Sequence, residues 1–281
     1  MNAIELSHVT KHFPGFTLQD LSLTVPSGTI CGLVGENGAG KSTTIRLLMG
    51  ALRPDSGTCT VLGADSAAPE FLSLKEDIGV VLDEAYFPES LNALQVGGVM
   101  AKTYRRWDGK QYQNYLTRFG LPEKKPFKDF SRGMKMKLAI AVALTRLLVL
   151  DEATAGLDPI VRDEVLEIFN EFTREEDHSI LISSHILSDL EKLCDYIAFL
   201  HQGRLLFCDE KDRLLEEYGI FVGTADQVNS LQDGAVVARE NSSFGGVRCL
   251  VKRALVPAGW ALERPTVEDI VLFLVKGAKE Q

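Results

Sequence analysis

The chain has 281 residues, of which 45% are hydrophobic, and a formal net charge of -9. This length suits one large domain plus a small one, and no run of like charge is long enough for a nucleic-acid-binding tail, so we expect no nucleic-acid partner. The five cysteines form no C-x-x-C pair, which is typical of reduced cytosolic thiols, and no apolar run reaches the roughly 20 residues that span a bilayer, so we expect a cytoplasmic chain without a membrane span.

The first 82 residues alternate between strand patterns and one helical segment. Alternating or wholly apolar runs predict strands at residues 2–9, 17–25, 29–34 and 77–82. Helical spacing at residues 42–49 follows directly on a Gly-rich segment, and the sequence R-P-D-S-G at 53–57 predicts a turn. A strand, a Gly-rich loop and a helix in this order are typical of a phosphate-binding α/β fold.

The middle of the chain changes character and then returns to alternation. Residues 84–144 carry mainly helical patterns, so we predict a helical insertion between two strands of the central sheet. Strand and helix patterns then alternate at 147–150, 159–173, 180–183, 186–193 and 196–200. Beyond residue 209 the pattern loosens. We therefore predict a nucleotide-binding domain over residues 1–209 and a small α+β accessory domain over 210–281.

Residues 35–42 read G-E-N-G-A-G-K-S and match the phosphate-loop pattern G-x-x-x-x-G-K-[ST] in full. A chance Gly-rich turn is the alternative, but the segment follows a predicted strand and opens a predicted helix. Small residues let backbone N–H groups wrap a phosphate chain, Lys41 reaches the β- and γ-phosphates, and the Ser42 hydroxyl ligates Mg²⁺. We expect nucleotide contacts from Gly35, Asn37, Gly38, Ala39, Gly40, Lys41, Ser42 and Thr43.

Two acids, Asp151 and Glu152, follow four apolar residues of a predicted buried strand. A solvated strand end is the plain alternative, and without the phosphate loop it would be preferred. Together with that loop, Asp151 is expected to hold Mg²⁺ and Glu152 to polarise the attacking water as a general base. The sequence therefore predicts ATP hydrolysis, with Lys41 as a catalytic cation.

Several short motifs accompany the phosphate loop in a fixed order. Residues 130–134 read F-S-R-G-M, residues 155–158 read A-G-L-D and residues 182–185 read I-S-S-H, while Phe13 lies upstream. Singly each is weak, since a serine before a helix is usually only an N-cap. Together they resemble the ATP-binding subunits of ABC transporters over about residues 2–209. The expected fold is a P-loop NTPase of the ABC type: α/β, with an antiparallel β subdomain, a RecA-like parallel-sheet core and a helical insertion, followed by the small α+β C-terminal domain.

The resemblance also implies a mechanism shared by two subunits. Two nucleotide-binding domains close head to tail around two ATP molecules, so that Ser131 and Gly133 face the γ-phosphate of the ATP held by the partner, an identical or a different chain. Within its own subunit His185 contacts the γ-phosphate and Phe13 stacks on adenine, and Asp158 joins the ATP contacts. ATP and Mg²⁺ are the implied cofactors. A second nucleotide-binding subunit and a separate integral membrane subunit are the implied partners, and they place this chain at the inner face of the cell membrane.

Three features depart from the pattern of this family. Asp83 stands where a glutamine is usual, and we expect it in the metal shell because a carboxylate can accept a hydrogen bond from a magnesium-bound water. Arg132 replaces a glycine of the signature, but Gly133 is retained, so the approach of a phosphate is expected to survive. The link at residues 143–147 is a few residues shorter than usual, either through a deletion or because residues are missing from the chain.

The transported substrate stays open at this level. Residues 104–108 and 134–138 resemble a bacterial subgroup that exports antibiotics and peptides, with ordinary helix surfaces as the alternative. Tyr86, Phe87 and Pro88 form an aromatic patch, and we expect it either to contact the membrane partner or to pack within the insertion. A soluble ABC ATPase of repair, translation or assembly is the alternative function, although the sequence shows neither coiled-coil arms nor a second cassette.

Overall fold

The computed structural model describes residues 1–83, 85–241 and 246–279, and these form three sheets with surrounding helices. In chain order the strands are β1 (Asn2–Phe13), β2 (Phe16–Pro26), β3 (Ile30–Gly35), β4 (Ser56–Val61), β5 (Ala64–Asp65), β6 (Ile78–Val81), β7 (Leu147–Asp151), β8 (Ser179–Ser183), β9 (Tyr196–His201), β10 (Arg204–Glu210), β11 (Tyr218–Gly223), β12 (Val236–Asn241) and β13 (Val247–Lys252). The α-helices are α1 (Lys41–Leu48), α2 (Phe71–Leu74), α3 (Ala93–Thr103), α4 (Gly109–Arg118), α5 (Arg132–Ala143), α6 (Pro159–Phe172), α7 (Leu187–Leu193), α8 (Lys211–Glu217), α9 (Ala225–Asn229) and α10 (Val267–Lys279).

The amino-terminal strands form an antiparallel sheet in the order β2-β1-β4-β5. Its inner face is apolar because alternate residues of a strand point to the same side, and Ile4, Leu6, Leu21 and Leu23 are all buried. These side chains share one core with Leu33 of β3 and with residues of α1. The antiparallel sheet therefore lies against the strand and helix that flank the phosphate loop.

The central sheet has six strands in the order β10-β9-β3-β8-β7-β6. Five of them run parallel, and β10 is antiparallel to β9. Strands β3 and β8 are buried along their whole length, as expected for a parallel sheet that is covered on both faces. Since parallel strands all end at the same edge, the residues that follow β3, β6, β7 and β8 meet there.

Helices α3, α4 and α5 lie between β6 and β7 in the chain, which confirms the predicted helical insertion; residue 84 itself lies outside the described residues. Asn92 and Gln95 form a capping box at the start of α3, and the Asp108 side chain caps α4. The short link after α5 keeps the end of this helix close to β6. The carbonyl oxygen of Ala143 is 1.7 Å from the position of a Cβ on Gly79, so only glycine fits there.

The C-terminal segment forms a three-stranded antiparallel sheet, β11-β13-β12, with α10 against it. Leu250 of β13 and Phe273 of α10 belong to the same core cluster as Leu190 of α7, while Phe221 and its neighbours form a small core of their own. Arg248 of β13 donates to Asp269 of α10 at 2.8 Å. The C-terminal sheet therefore has its own core, and its inner face also packs on the core of the central sheet.

Candidate functional site

The phosphate loop joins the end of β3 to the start of α1, and its conformation requires glycine. Gly38 and Gly40 have φ values of 84° and 113°, which residues other than glycine rarely adopt. A Cβ on Gly40 would lie 2.9 Å from Leu18 and 3.1 Å from the Phe16 ring. No side chain caps the N-terminus of α1, so its first N–H groups point into the loop, where an anion is stabilised.

The predicted nucleotide contacts line this loop in two layers. Glu36, Asn37 and Gly38 are exposed at its outer turn, whereas Ala39 is buried beneath it. Thr43, in the first turn of α1, is half-buried. An exposed turn of backbone over a buried floor is the arrangement by which such a loop cradles phosphates.

Lys41 is held inside the loop, with only 7% of its surface exposed. Its Nζ donates to the carbonyl oxygens of Gly35 at 2.6 Å and Glu36 at 3.4 Å, and lies 3.6 Å from Glu152 Oε1. An ammonium group buried among oxygen atoms is well placed to exchange those contacts for phosphate oxygens.

Asp151 ends β7 directly beside the start of α1. The Ser42 hydroxyl donates to Asp151 Oδ2 at 2.9 Å, and the Ser183 hydroxyl donates to Asp151 Oδ1 at 2.5 Å. Both oxygens of the carboxylate are therefore oriented. Ser183 has no role in the predictions from sequence, although the I-S-S-H motif and the pairing of neighbouring strands β7 and β8, which sets Asp151 beside Ser183, provide the signal.

Glu152 follows Asp151 with a φ of 53°, a value that is rare for residues other than glycine. This turn brings its carboxylate back towards the loop. Its backbone N–H donates to the Ser183 carbonyl oxygen at 3.0 Å, and its Oε2 lies 2.7 Å from His185 Nδ1. Glu152 thus bridges Lys41 on one side and His185 on the other, so three residues predicted from separate motifs meet in one place.

The signature residues lie at the start of α5. Ser131 caps this helix by accepting from the Met134 N–H at 3.2 Å, and a Cβ on Gly133 would lie 3.2 Å from Val161 of α6. Asp158 caps α6 in the same way, accepting from the Val161 N–H at 3.1 Å. Two capped helix N-termini therefore lie side by side. Within the described residues no hydrogen bond or ion pair joins Ser131 or Asp158 to the phosphate loop of the same chain.

The Arg132 guanidinium lies over the loop that contains Gly156. Its nitrogen is 2.6 Å from the position of a Cβ on Gly156, which has a φ of 69°. Glycine is needed there both for the backbone angle and for the space. Arg132 is thus directed along the surface of its own subunit, and the N–H of Gly133 is not covered by that contact.

Phe13 and Asp83 lie at the margins of the site. Phe13 is the last residue of β1 and is 37% exposed; its ring centroid is 6.4 Å from that of Phe16, which lies against Gly40. Asp83 follows β6, whose Val81 pairs with Leu150 of β7, so it lies at the same sheet edge as Asp151. In the described part of the chain Asp83 is exposed and makes no hydrogen bond or ion pair.

The donor groups fit the nucleotide and the metal that the sequence predicts. Ser42 and Asp151 offer a hydroxyl and a carboxylate oxygen 2.9 Å apart, which are ligands suited to Mg²⁺. Mg²⁺ is usually held by one or two protein oxygens together with phosphate and water. Two protein ligands beside an open phosphate loop meet that requirement.

The aromatic patch at residues 86–88 has two expected roles, packing within the helical insertion or contact with a membrane partner, and its members differ in this respect. Phe87 packs edge-on against Phe127 with ring centroids 5.5 Å apart, so this member stabilises the insertion. Tyr86 is 74% exposed and Pro88 is also exposed. Tyr86 and Phe87 line a groove of about 460 Å³ between β6 and helices α4 and α5, together with Tyr104, Trp107 and Val142. Among the described residues no helix is both long enough and apolar enough to cross a bilayer.

Comparison with known proteins agrees with this geometry. A family model for ABC transporters matches residues 18–155. A lantibiotic transport ATP-binding protein of Streptococcus pyogenes is 36% identical over 200 residues, which cover 69% of this chain and 85% of the relative. The Nod factor export ATP-binding protein I of Rhizobium sp. (strain N33) is 36% identical over 247 residues, covering 82% of this chain and 80% of that protein.

Solved structures support the same assignment. The structure of an ATP binding subunit of an ABC transporter is 27% identical, has a TM-score of 0.68, and covers 75% of this chain and 91% of its own. This agreement confirms the predicted α/β fold of the ABC type, and the relatives favour a transporter subunit over a soluble ATPase of repair, translation or assembly. The chain belongs to the ABC transporter family, as an ATP-binding subunit that hydrolyses ATP.

Proposed function

We propose that this subunit binds MgATP on the loop at residues 35–43, hydrolyses it with Glu152 as the general base, and drives an exporter through ATP-dependent closure onto a second nucleotide-binding subunit. The observation that carries this proposal is the position of Glu152. Its carboxylate lies between Lys41 at 3.6 Å and His185 at 2.7 Å, at the sheet edge where Ser42 and Asp151 meet. A base, two cationic or proton-bearing groups and a metal-ligand pair thus surround the place where a γ-phosphate would lie.

Each residue has a separate task at this edge. Lys41 leaves its carbonyl contacts to bind the β- and γ-phosphates, and the exposed N–H groups of Asn37 and Gly38 wrap the phosphate chain. Ser42 and Asp151 would hold Mg²⁺, with Asp83 as a further carboxylate of its shell. When bound, the metal would supply neutralisation of charge on the phosphate oxygens. Ser183 keeps the Asp151 carboxylate in one orientation, so the metal ligand is preorganised.

Glu152 and His185 act on the water and the γ-phosphate. The Glu152 carboxylate polarises the attacking water, since its oxygens lie at the open edge and are held by contacts on two sides. When ATP binds, His185 turns from Glu152 to the γ-phosphate, so its contact depends on the presence of that phosphate. A base placed in this way is worth roughly 100- to 10,000-fold in rate.

The signature residues support a site shared by two subunits. Ser131, Gly133 and Asp158 lie at two adjacent helix N-termini, where an anion is stabilised. Their contacts within the chain are local caps, so their anion-binding potential is available to a nucleotide held by another subunit. ATP would then join the two subunits, and its hydrolysis would release them.

The groove beside β6 supports docking of a membrane subunit. Its aromatic lining and a volume of about 460 Å³ suit a short helix of a partner protein. Tyr86 and Pro88 are exposed and close to Asp83 in the chain. A partner bound there would therefore lie beside the sheet edge at which Mg²⁺ is expected. Docking in this way would place the chain peripherally on the inner face of the membrane. Export, rather than import, rests on the relatives that act in lantibiotic transport and Nod factor export.

We further propose the domain division at residues 209 and 210, with the C-terminal sheet as an accessory domain. Strands β11, β12 and β13 have their own small core, which supports an independent unit. Helix α10 of this domain packs on α7, the helix that follows His185, which supports a role in dimer support or regulation rather than a free tether.

Affinity capture from solubilised membranes tests the transporter role. The tagged chain should recover a multi-span membrane protein, and Tyr86→Glu should reduce that recovery at least about tenfold, because it puts a charge into an interface core. Val222→Glu is the matched control, since Val222 is an exposed apolar residue on β11, away from the groove. Recovery of no membrane protein would contradict the proposal, and equal loss with both variants would remove the groove from it. Reconstitution of the recovered complex then tests the direction of transport.

A further inference from the structure

The end of β1 has a strand on only one side. Strand β4 pairs with β1 as far as Thr10, opposite Ser56, and goes no further. Strand β2 continues on the other side to the last pair, Phe13 with Phe16. The backbone of residues 11–13 therefore needs another partner on the β4 side, because unpaired strand N–H groups are costly unless water or a side chain satisfies them.

Asp55 takes that place, in the turn just before β4. Its own N–H donates to the Thr10 carbonyl oxygen at 2.8 Å, and its Oδ2 accepts from the His12 N–H at 2.7 Å. Lys11 Nζ donates to Oδ1 at 2.8 Å, and His12 Nδ1 lies 3.1 Å from Oδ2. One carboxylate thus binds the backbone N–H of His12 and the side chains of both residues that precede Phe13.

These contacts persist at physiological pH. The Lys11 hydrogen bond, followed by those from the His12 backbone and ring, holds the pKa of Asp55 well below its usual range. A carboxyl group with a lowered pKa keeps its charge, and therefore its contacts, at every pH above the unfolded value, and loses them only in acid. Asp55 is consequently an ionised acceptor throughout the neutral range.

The end of β1 that Asp55 holds, residues 11–13, lies next to the phosphate loop. The ring of Phe16, paired with Phe13, lies against Gly40 of the phosphate loop, and the Phe13 ring centroid is 6.4 Å from that of Phe16. We infer that Asp55 is a positioning residue, which fixes the end of β1 so that Phe13 presents its ring to the base of bound ATP. This inference rests on the proposed function, and it extends that function with the stacking of Phe13 on adenine that the resemblance to ABC subunits implies. Its consequence is a contribution to affinity that depends on the base and not on the phosphates.

Calorimetric titration of the full chain with two ligands tests this role. MgADP carries the base, whereas magnesium pyrophosphate occupies the phosphate loop without one. Phe13→Ala should weaken MgADP binding about tenfold through loss of base stacking. Asp55→Ala should weaken it about threefold, the effect of losing hydrogen bonds that orient the strand end. Neither variant should change pyrophosphate binding, and Asp55→Ala should add nothing once Phe13 is alanine.

Asp55→Asn and Asp20→Asn separate a local effect from general damage. Asp55→Asn keeps an acceptor for the His12 N–H, so it should restore most of the MgADP affinity. Asp20 of β2 lies 2.7 Å from His8 of β1 in a second Asp–His pair of the same sheet, so Asp20→Asn should leave both affinities unchanged. Asparagine tolerates the φ of 49° at this position.

The outcomes distinguish the positioning role of Asp55 from the proposed function. Weaker pyrophosphate binding in Asp55→Ala, or normal MgADP binding alongside a weakened Phe13→Ala, overturns the positioning role and leaves the proposed function intact. Normal MgADP binding in Phe13→Ala removes the stacking role from the proposed function, and the inference falls with it.

Discussion

The phosphate-loop edge and the signature edge use their polar side chains in different ways. At the phosphate loop, the contacts of Lys41, Ser42, Asp151 and Glu152 join three different parts of the chain, so the groups are oriented before any ligand arrives. At the signature, Ser131 bonds to the first turn of its own helix. The phosphate-loop edge is preorganised for catalysis, whereas the signature edge is a capped helix N-terminus that can stabilise an anion.

This difference indicates what each edge needs from outside. The phosphate-loop edge contains base, cation and metal ligands, so a substrate and Mg²⁺ would complete its chemistry. The signature edge offers N–H groups, and the side-chain oxygens of Ser131 and Asp158 are engaged as caps of their own helices, so by itself this edge binds an anion without transforming it. A site that joins one edge of each kind would switch on only when two subunits meet. The following variants test this asymmetry, starting with the largest expected effect.

Glu152→Gln should abolish turnover, with a fall in kcat of at least about 100-fold, while MgATP binding is retained. The amide keeps the shape of the side chain and removes the basic oxygen. ATP should then trap a long-lived dimer, which gel filtration with multi-angle light scattering would detect. Asp83→Asn is the comparison at the same sheet edge, and it should lower turnover far less than Glu152→Gln, because its amide oxygen can still accept a hydrogen bond from a metal-bound water. Turnover at the normal rate in Glu152→Gln would remove Glu152 from the role of base.

Ser131→Arg should lower ATPase activity by about 100-fold by a different route, because a long charged side chain would fill the approach to the α5 N-terminus. Binding of MgATP to the monomer should be unchanged, since Ser131 makes no contact with its own phosphate loop. Combined with Glu152→Gln, it should prevent the ATP-trapped dimer. Ser131→Ala is the comparison: it loses one hydroxyl and the cap, worth about 1 kcal/mol of stability, but leaves the approach to the helix end open, so it should lower activity far less. A dimer that still forms in the arginine variant would refute the shared site.

Contiguous motifs can be predicted from the sequence, whereas contacts between distant segments cannot. The sequence predicts the phosphate loop, Asp151 and Glu152 because each motif is contiguous and its chemistry depends on residue types at fixed spacing. Strand β4 and the antiparallel β10 escape prediction, since short strands with exposed polar residues depend on pairing with distant partners for their stability. The role of Ser183 escapes it for the same reason. Its contact with Asp151 joins residues 32 positions apart, and only the adjacency of β7 and β8 brings them together.

Ser183→Ala should have a smaller effect, mainly on the metal. The Ser183 hydroxyl also accepts from the Glu152 N–H at 3.2 Å, but this N–H keeps its bond to the Ser183 carbonyl oxygen at 3.0 Å. Loss of the hydroxyl frees one oxygen of Asp151 from its fixed orientation, and removal of a group that orients a metal ligand typically costs 10- to 100-fold in metal affinity. We expect the Mg²⁺ concentration for half-maximal ATPase to rise about tenfold, with near-normal kcat at saturating Mg²⁺. Ser184→Ala is the control, because the Ser184 hydroxyl only accepts from the Ile186 N–H. An unchanged Mg²⁺ requirement would show that Ser42 alone orients Asp151.

Arg132→Gly should have the smallest effect, and it tests whether the departure in the signature matters. The guanidinium lies over Gly156 of its own subunit and makes no ion pair among the described residues, and exposed charged contacts of this kind contribute about 0–1 kcal/mol. The N–H of Gly133 remains available in either form. ATPase activity should therefore stay within about fivefold of the parent, the change that 1 kcal/mol produces. Loss of activity as severe as in Ser131→Arg would mean that Arg132 reaches the partner's nucleotide, and the signature edge would then supply a cation as well as a helix end.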